Sequence, residues 1–366
     1  MTGFSTQGGF GAPPQPTPQP QSQEEISGSP LWHLFDYDLT NQTIALMRIE
    51  ERIYRETSFL DQRIGSYNCP MVLYEMRHMA QMFPGLGQSR GPLGFIFHIG
   101  HCGSTLLSRA LSTSEAILPF REPMSLRTLS ADQHELEGPM SFLTVEQWEN
   151  LMSTILDSLS RRFPGGRINI VKATSTSNNL ISPILTRNDQ QRAVLLYLPL
   201  ENYLATMLGK PREGSDLWGQ ARKRMQDWIR IEGAPRLNLY DMQAPQFATL
   251  SWLTSMNHML AARDAFGDRV RMINFETLIA RPEEHLVEVA SFFGVEDQAD
   301  QIVNDFSQVS SGYSKQPNTR YTAETRKQIL QQTREQHADG ISTGLSLARS
   351  LITQAPSLER CTPFVG

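Results

Sequence analysis

Cysteine is scarce: only Cys69, Cys102 and Cys361 occur in 366 residues, with no C-x-x-C pair. That odd, scattered set excludes a disulfide-stapled fold and a cysteine-rich zinc site, and it is the usage expected of a reducing cytoplasm. Long hydrophobic runs are also missing. No apolar stretch approaches the ~18 residues of a membrane span. The opening MTGFSTQGGFGAPPQPTPQPQSQEE has neither the basic start nor the apolar run of a signal peptide. Charge of one sign is not in excess, because 33 basic residues against 38 acidic ones leave −5. Such a balance speaks against general nucleic-acid or anionic-membrane binding, so neither partner is expected. Internal repeats are absent. What is present is 39% hydrophobic residues, enough for a real core. The chain also exceeds the roughly 250–300 residues at which single cores stop growing.

The first thirty residues hold six prolines, five glycines and five glutamines, with Glu24 and Glu25 as their only charges. They bury too little apolar surface to offset ordering entropy, so residues 1–30 read as a disordered tail. Residues 31–92 form an N-terminal subregion to which the sequence assigns no role. Within it Thr43–Ile49 reads as a strand, Glu50–Thr57 as a helix and Val72–Met82 as a second helical stretch, before FPGLGQSRGPLG breaks all regularity.

From residue 93 to 366 apolar strands alternate with helices. The strands are Phe95–Ile99, Ile168–Val171, Ala193–Leu198 and Val270–Phe275. Helical stretches include Thr105–Leu111, an amphipathic run with Val145, Trp148, Leu151, Met152, Ile155, Leu156 and Leu159 on one stripe, and Phe247–Phe266. Pro282–Phe293 has proline near its start, early glutamates and Gly294 just past its end, the caps of a helix. Residues 323–352 read as C-terminal helices packed through Ile329, Leu330, Leu345, Leu347, Leu351 and Ile352. Four buried strands separated by helices predict an α/β fold with a parallel central sheet covered by helices on both faces.

The central motif is FIFHIGHCGSTLLSRAL, residues 95–111. A buried strand enters a glycine loop, and a helix starts at Ser104 and Thr105. Such a loop offers backbone N–H groups and a helix dipole to an anion, usually a phosphate, and Gly100 and Gly103 allow close approach. An ordinary strand-to-helix turn capped by Ser104 is the alternative. The pattern is not the nucleotide-hydrolysing G-x-x-x-x-G-K-[ST]. With Gly103 as its second glycine, His98 stands at the first-glycine position and Ser104 at the lysine position. The cation that reaches the β- and γ-phosphates is therefore missing, which argues against ATP or GTP chemistry.

GHCGSTLL after an apolar strand resembles the phosphosulfate-binding loop of the sulfotransferases, [KR]-S-G-[ST]-T plus an apolar residue, a member of the P-loop superfamily. Four further segments agree in order. They are Arg121-Glu122-Pro123, Val171-Lys172-Ala173-Thr174, Tyr197–Met207 (YLPLENYLATM) and NFETLIARPEEHLVEVASFFGV. Together they span roughly residues 94–295. The resemblance implies a sulfotransferase-like fold with an N-terminal extension. It also implies transfer of a sulfuryl group from 3′-phosphoadenosine 5′-phosphosulfate (PAPS) to a hydroxyl or amine of a small-molecule or glycan acceptor, without a metal. Gly100, His101, Cys102, Gly103, Ser104, Thr105 and Leu106 would cradle the 5′-phosphosulfate, and Thr206 would contact the 3′-phosphate. This chain departs from the pattern at the loop cation (His101), the loop serine (Cys102) and the 3′-phosphate arginine, whose position holds Leu198. Arg187, Arg192, Lys210 and Arg212 are the nearby replacements for that arginine.

Sulfuryl transfer calls for a base at the acceptor and a cation at the transferred group. Glu122 is the candidate base; its alternative role is pairing with an arginine such as Arg121 and shaping the loop. Lys172 is either the stabilising cation or a lysine snorkelling at a strand end. His98-x-x-His101 lacks the third ligand of a zinc site, and His98 reads as a satisfied core histidine. Cys102 beside His101 reads as a small turn residue rather than a nucleophile. Trp218, Arg222, Lys223 and Arg224 either line the cleft or form a solvated helix face. Arg320 and Tyr321 are further candidates to reach the site. Two rivals stand beside this reading: a phosphotransferase using a nucleoside triphosphate, and a non-catalytic nucleotide-binding relative.

Overall fold

The apolar runs that punctuate residues 93–275 assemble side by side. A computed structural model describes residues 23–83, 91–136, 138–209, 213–311 and 323–366. Its strands are β1 (Trp32–Asp38), β2 (Thr43–Arg48), β3 (Met71–Glu75), β4 (Leu93–His98), β5 (Ile117–Arg121), β6 (Ile168–Lys172), β7 (Arg192–Tyr197) and β8 (Val270–Asn274). The last five form a parallel sheet in the order β5-β6-β4-β7-β8. Every residue of β4, β5 and β6 is buried, as expected of strands covered by helices on both faces. No helix among the described residues is long and apolar enough to cross a membrane.

Among the described residues the parallel sheet has five strands where the sequence suggested four. Ile117–Arg121 is the addition, and Pro119 disguised it. A proline cannot donate to a ladder, but β5 is an edge strand paired only with β6, where that costs nothing. A second correction falls at Val72–Met82. Its first part is strand β3, antiparallel to β2 with Leu46 opposite Val72, and only Met79–Met82 is α-helical. β1 was not anticipated, since His33 and Asp36 interrupt its apolar pattern. β1, β2 and β3 form a separate antiparallel sheet. Of the stretch read as a disordered tail, residues 1–22 lie outside the described residues, Gln23–Gly28 is helical and Ile26 is buried. Val145 and Ile329, read as packing positions, are exposed at 44% each.

The chain leaves β4 for β5 and β6 on one side, then crosses to β7 and β8 on the other. The loop after β4 therefore lies at the switch point of the sheet, where open α/β folds bind ligands at the carboxyl ends of their strands. The small sheet packs on the helix Met124–Glu135, with Thr128 donating to Asp36 at 2.7 Å and Tyr37 to Asp132 at 2.5 Å. Buried Arg121 ties the segment after β2 to the end of β5. Its guanidinium donates to the carbonyls of Tyr54, Arg55 and Thr57 and to the hydroxyls of Ser108 and Ser112, at 2.6–3.1 Å. Burial, with Arg109 and Arg55 nearby, pulls it down to about 9. The backbone closes the same joint, Leu60 N–H donating to Arg121 O at 2.6 Å and Met124 N–H to Leu60 O at 3.0 Å.

Candidate functional site

The glycine loop is built around two backbone reversals. Gly100 has φ +90° and Gly103 φ +73°, and a Cβ on Gly103 would lie 1.9 Å from the Phe275 ring. Only glycine fits that approach. Gly103 also caps the helix Ser104–Leu111, without help from a side chain, so Ser104 is not the cap. The N–H groups of Gly103, Ser104, Thr105 and Leu106 and the hydroxyls of Ser104 and Thr105 have no acceptor among the described residues. An array of free donors at a helix start suits an anion.

His98 is satisfied on both ring nitrogens. Nδ1 accepts the Gly100 N–H at 3.0 Å, so Nε2 carries the proton and donates to Ala173 O at 3.0 Å. Burial, reinforced by Lys172, holds it well below its usual range. It is a neutral core histidine that shapes the loop, with no lone pair left for a metal. Cys102 is buried, its thiol directed at Leu196 O at 3.4 Å, and burial pushes it up to about 12. A thiol so held is inert.

Glu122 and Lys172 meet at the ends of neighbouring strands β5 and β6. Lys172 Nζ donates to Glu122 Oε1, while Glu122 N–H donates to Lys172 O at 2.7 Å. Lys172 is 1% exposed, so it is no snorkelling surface lysine. Arg121 is not the partner of Glu122, since its guanidinium is spent on carbonyls and hydroxyls. A third charge, which the sequence reading missed, completes the group. Arg63 donates to Glu122 Oε2 at 3.0 Å. Burial opposes the Glu122 charge, but Lys172 and Arg63 outweigh it and hold the carboxyl below its ordinary value.

Glu122 sits at φ +55° and His101 at φ +51°. Left-handed backbone at a residue with a Cβ is strained, and such strain concentrates at functional sites. Both residues line one cleft of about 380 Å³. It gathers Gly100–Leu106, Glu122 and Lys172 with Phe59, Asp61, Gln62 and Arg63 from the N-terminal subregion. Of the residues predicted for the chemistry and for holding the donor, Gly100–Leu106, Glu122 and Lys172 are on that lining and Thr206 is not.

Thr206 sits on the helix Leu200–Leu208, and its hydroxyl donates to Asn202 O at 2.7 Å. Leu198 is fully buried. Of the proposed replacement cations, the two that are described, Arg187 and Arg192, lie elsewhere. Arg192 begins β7, at the opposite end from Tyr197, and donates to Phe292 O. Arg187 lines a different cleft with Trp148 and Met152. Lys210 and Arg212, like Arg320 and Tyr321, lie outside the described residues. The cation at Thr206 is Arg326, from the C-terminal helix Ala323–Gln336, which donates to its hydroxyl at 2.7 Å and to Glu276 Oε1 at 3.0 Å. Arg326 stands 5.7 Å from the Phe275 ring that abuts Gly103.

The basic aromatic patch divides. Trp218 packs on Phe247 with ring centroids 4.2 Å apart. Arg222 is at the surface, whereas Arg224 is buried and donates to Ser175 O at 3.0 Å. Lys223 is half-buried, and burial beside Arg127 and Arg224 lowers it to about 8.

No protein-family model matches this chain, and no curated protein matches it in sequence. Solved structures similar to it include a sulfotransferase domain from the curacin biosynthetic pathway, with 14% identity over 68% of this chain and 99% of that one, at a TM-score of 0.37. A sulfotransferase from Alicyclobacillus acidocaldarius shares 12% identity over 72% and 96% of the two chains, TM-score 0.36. One from Mycobacterium tuberculosis H37Rv shares 14% over 69% and 80%, TM-score 0.39.

Proposed function

We propose that this protein is a sulfotransferase that moves a sulfuryl group from PAPS to a hydroxyl or amine acceptor. The observation that carries the reading is the convergence of Glu122 and buried Lys172 on the glycine loop, within a single cleft at the switch point of the sheet. The residues fit the donor. A cradle that a Cβ would fill, free N–H groups at residues 103–106 and two free hydroxyls suit the 5′-phosphosulfate. Thr206 with Arg326 suits the 3′-phosphate, and Arg326 takes the part for which Leu198 is unequipped.

PAPS, when bound, supplies the sulfuryl group. Glu122 takes the acceptor proton. Its two cations leave it ionised at neutral pH, and each carboxylate oxygen keeps a lone pair beyond the one its cation uses. Lys172, a buried point charge, stabilises developing negative charge better than it would in water. Asp61, Gln62, Arg127, Thr176 and Gln220 make much of the remaining cleft wall polar, with Phe59 as its aromatic surface. A hydrophilic small molecule or glycan fits that wall.

The test is release of adenosine 3′,5′-bisphosphate from PAPS in chelator-treated buffer. Release should proceed at a rate that added magnesium leaves unchanged. Turnover only with a nucleoside triphosphate and magnesium would shift the reading to phosphoryl transfer.

A further inference from the structure

The N-terminal subregion forms part of the cleft, and one of its residues touches the candidate base. Arg63 lies in a 3₁₀ turn, Gln62–Tyr67, that Asp61 caps by accepting the Arg63 N–H at 3.0 Å. The same carboxylate grips the guanidinium as a fork, Nε to Oδ1 at 2.8 Å and the terminal nitrogen to Oδ2 at 2.5 Å. Paired bonds of this kind fix the plane and direction of an arginine. The Phe59 ring supports the other side, its centroid 3.2 Å from the guanidinium carbon. Held from two directions, Arg63 presents its terminal nitrogen to Glu122 Oε2 at 3.0 Å.

The rest of the local architecture holds that segment where it is. Arg121 clamps the carbonyls of residues 54, 55 and 57, and Leu60 is stitched to Arg121 and Met124 through the backbone. Arg121 is adjacent in sequence to Glu122, so one joint fixes both partners. A surface ion pair alone is weak evidence of anything. Here one member is a strained residue of the cleft, and the other is held by a buried carboxylate, which is 4% exposed.

We propose that Arg63 is a positioning residue for Glu122, and that the N-terminal subregion is there to bring it to the acceptor side of the cleft. The proposal rests on the transferase reading above. Lys172 takes Oε1 and Arg63 takes Oε2, so the carboxylate plane is set from both ends and cannot rotate about its last torsion. The charged groups facing Glu122 are Lys172 from β6 and Arg63, with Asp61 behind it, from the 57–67 segment. Removing Arg63 loosens the carboxylate and takes away one of two opposite charges that favour its ionised form.

The experiment compares full-length wild type, Arg63→Ala and Arg63→Lys. Bisphosphate affinity is measured by calorimetry, and bisphosphate release from PAPS, with water as acceptor, is followed from pH 4 to 9. Arg63→Ala should bind the bisphosphate within about twofold of wild type, since the hydrogen bonds of Arg63 run to Asp61 and Glu122 and not to the loop. Its turnover should fall about tenfold or more, and the acid limb of its profile should move up by about one pH unit. Arg63→Lys should return the limb toward wild type. An Arg63→Ala profile that superimposes on wild type, or a fall in turnover with no movement of the limb and no rescue by lysine, overturns the proposal. A wild type that neither binds bisphosphate nor releases it from PAPS overturns the transferase reading itself, and the proposal with it.

Discussion

Glu122→Gln should lower PAPS turnover by about 10²–10⁴-fold, the range contributed by a positioned general base. Bisphosphate binding should stay near wild type, because Glu122 sits at the end of β5 and the anion cradle is made by the loop after β4. The amide keeps an acceptor for Lys172 but no charge, which leaves a buried ammonium uncompensated except by dipoles. A stability loss of about 1–3 kcal/mol at pH 7 follows. The pH dependence has a definite sign. Lys172 and Arg63 depress the folded-state value of Glu122 below the 4.5 of the free group. The stabilisation is therefore complete above that ordinary value and is lost as pH falls through the depressed one. Urea unfolding at pH 7 and at pH 3–4 should show the gap between wild type and Glu122→Gln narrowing in acid. Unchanged turnover would remove Glu122 from the chemistry and leave it a brace for Lys172.

Gly103→Ala should be still more damaging to binding. The residue is left-handed, which costs an alanine roughly 1–2 kcal/mol. The new methyl would also sit 1.9 Å from the Phe275 ring, a clash that either expels Phe275 or reshapes the loop. Overpacking adds about 1–3 kcal/mol, so a total near 2–5 kcal/mol is expected from thermal or urea unfolding. Phe275 precedes Glu276, the partner of Arg326, so the disturbance spreads from the loop to Thr206. Losing two charge-assisted hydrogen bonds at about 1.5–3 kcal/mol each would weaken bisphosphate binding by at least about 10²-fold. Gly165→Ala is the control. It has the same backbone sign, φ +87°, but its Cβ would meet nothing within 4 Å. If the two variants bind the bisphosphate equally well, the loop is not the cradle.

Much of the sheet was legible because β4, β6, β7 and β8 are short apolar runs bounded by glycine, proline or polar turns. β5 was obscured by Pro119, and β3 by its exposed alternate residues, Met71, Leu73 and Glu75, which run straight into helical turns. Glu122 and Lys172 could be picked out because each sits in a local motif at the end of an apolar segment. Their companions carry no such mark. Arg63 lies 59 residues before Glu122, and Arg326 lies 120 residues after Thr206. Both are unremarkable arginines in polar stretches, selected by tertiary folding rather than by spacing. The search for a cation near Leu198 looked to neighbours in sequence, whereas the arginine that bonds Thr206 comes from the C-terminal helix Ala323–Gln336.

The central claim is that the loop after β4, with Thr206 and Arg326, holds the donor nucleotide. Calorimetric titration of the full-length protein with adenosine 3′,5′-bisphosphate, with ATP and magnesium in parallel, tests it most directly. The account predicts one bisphosphate per chain, micromolar or tighter, with ATP at least about tenfold weaker; that is roughly 1.4 kcal/mol of preference for the 3′-phosphate. Binding of ATP–magnesium in preference to the bisphosphate, or of neither, would contradict it.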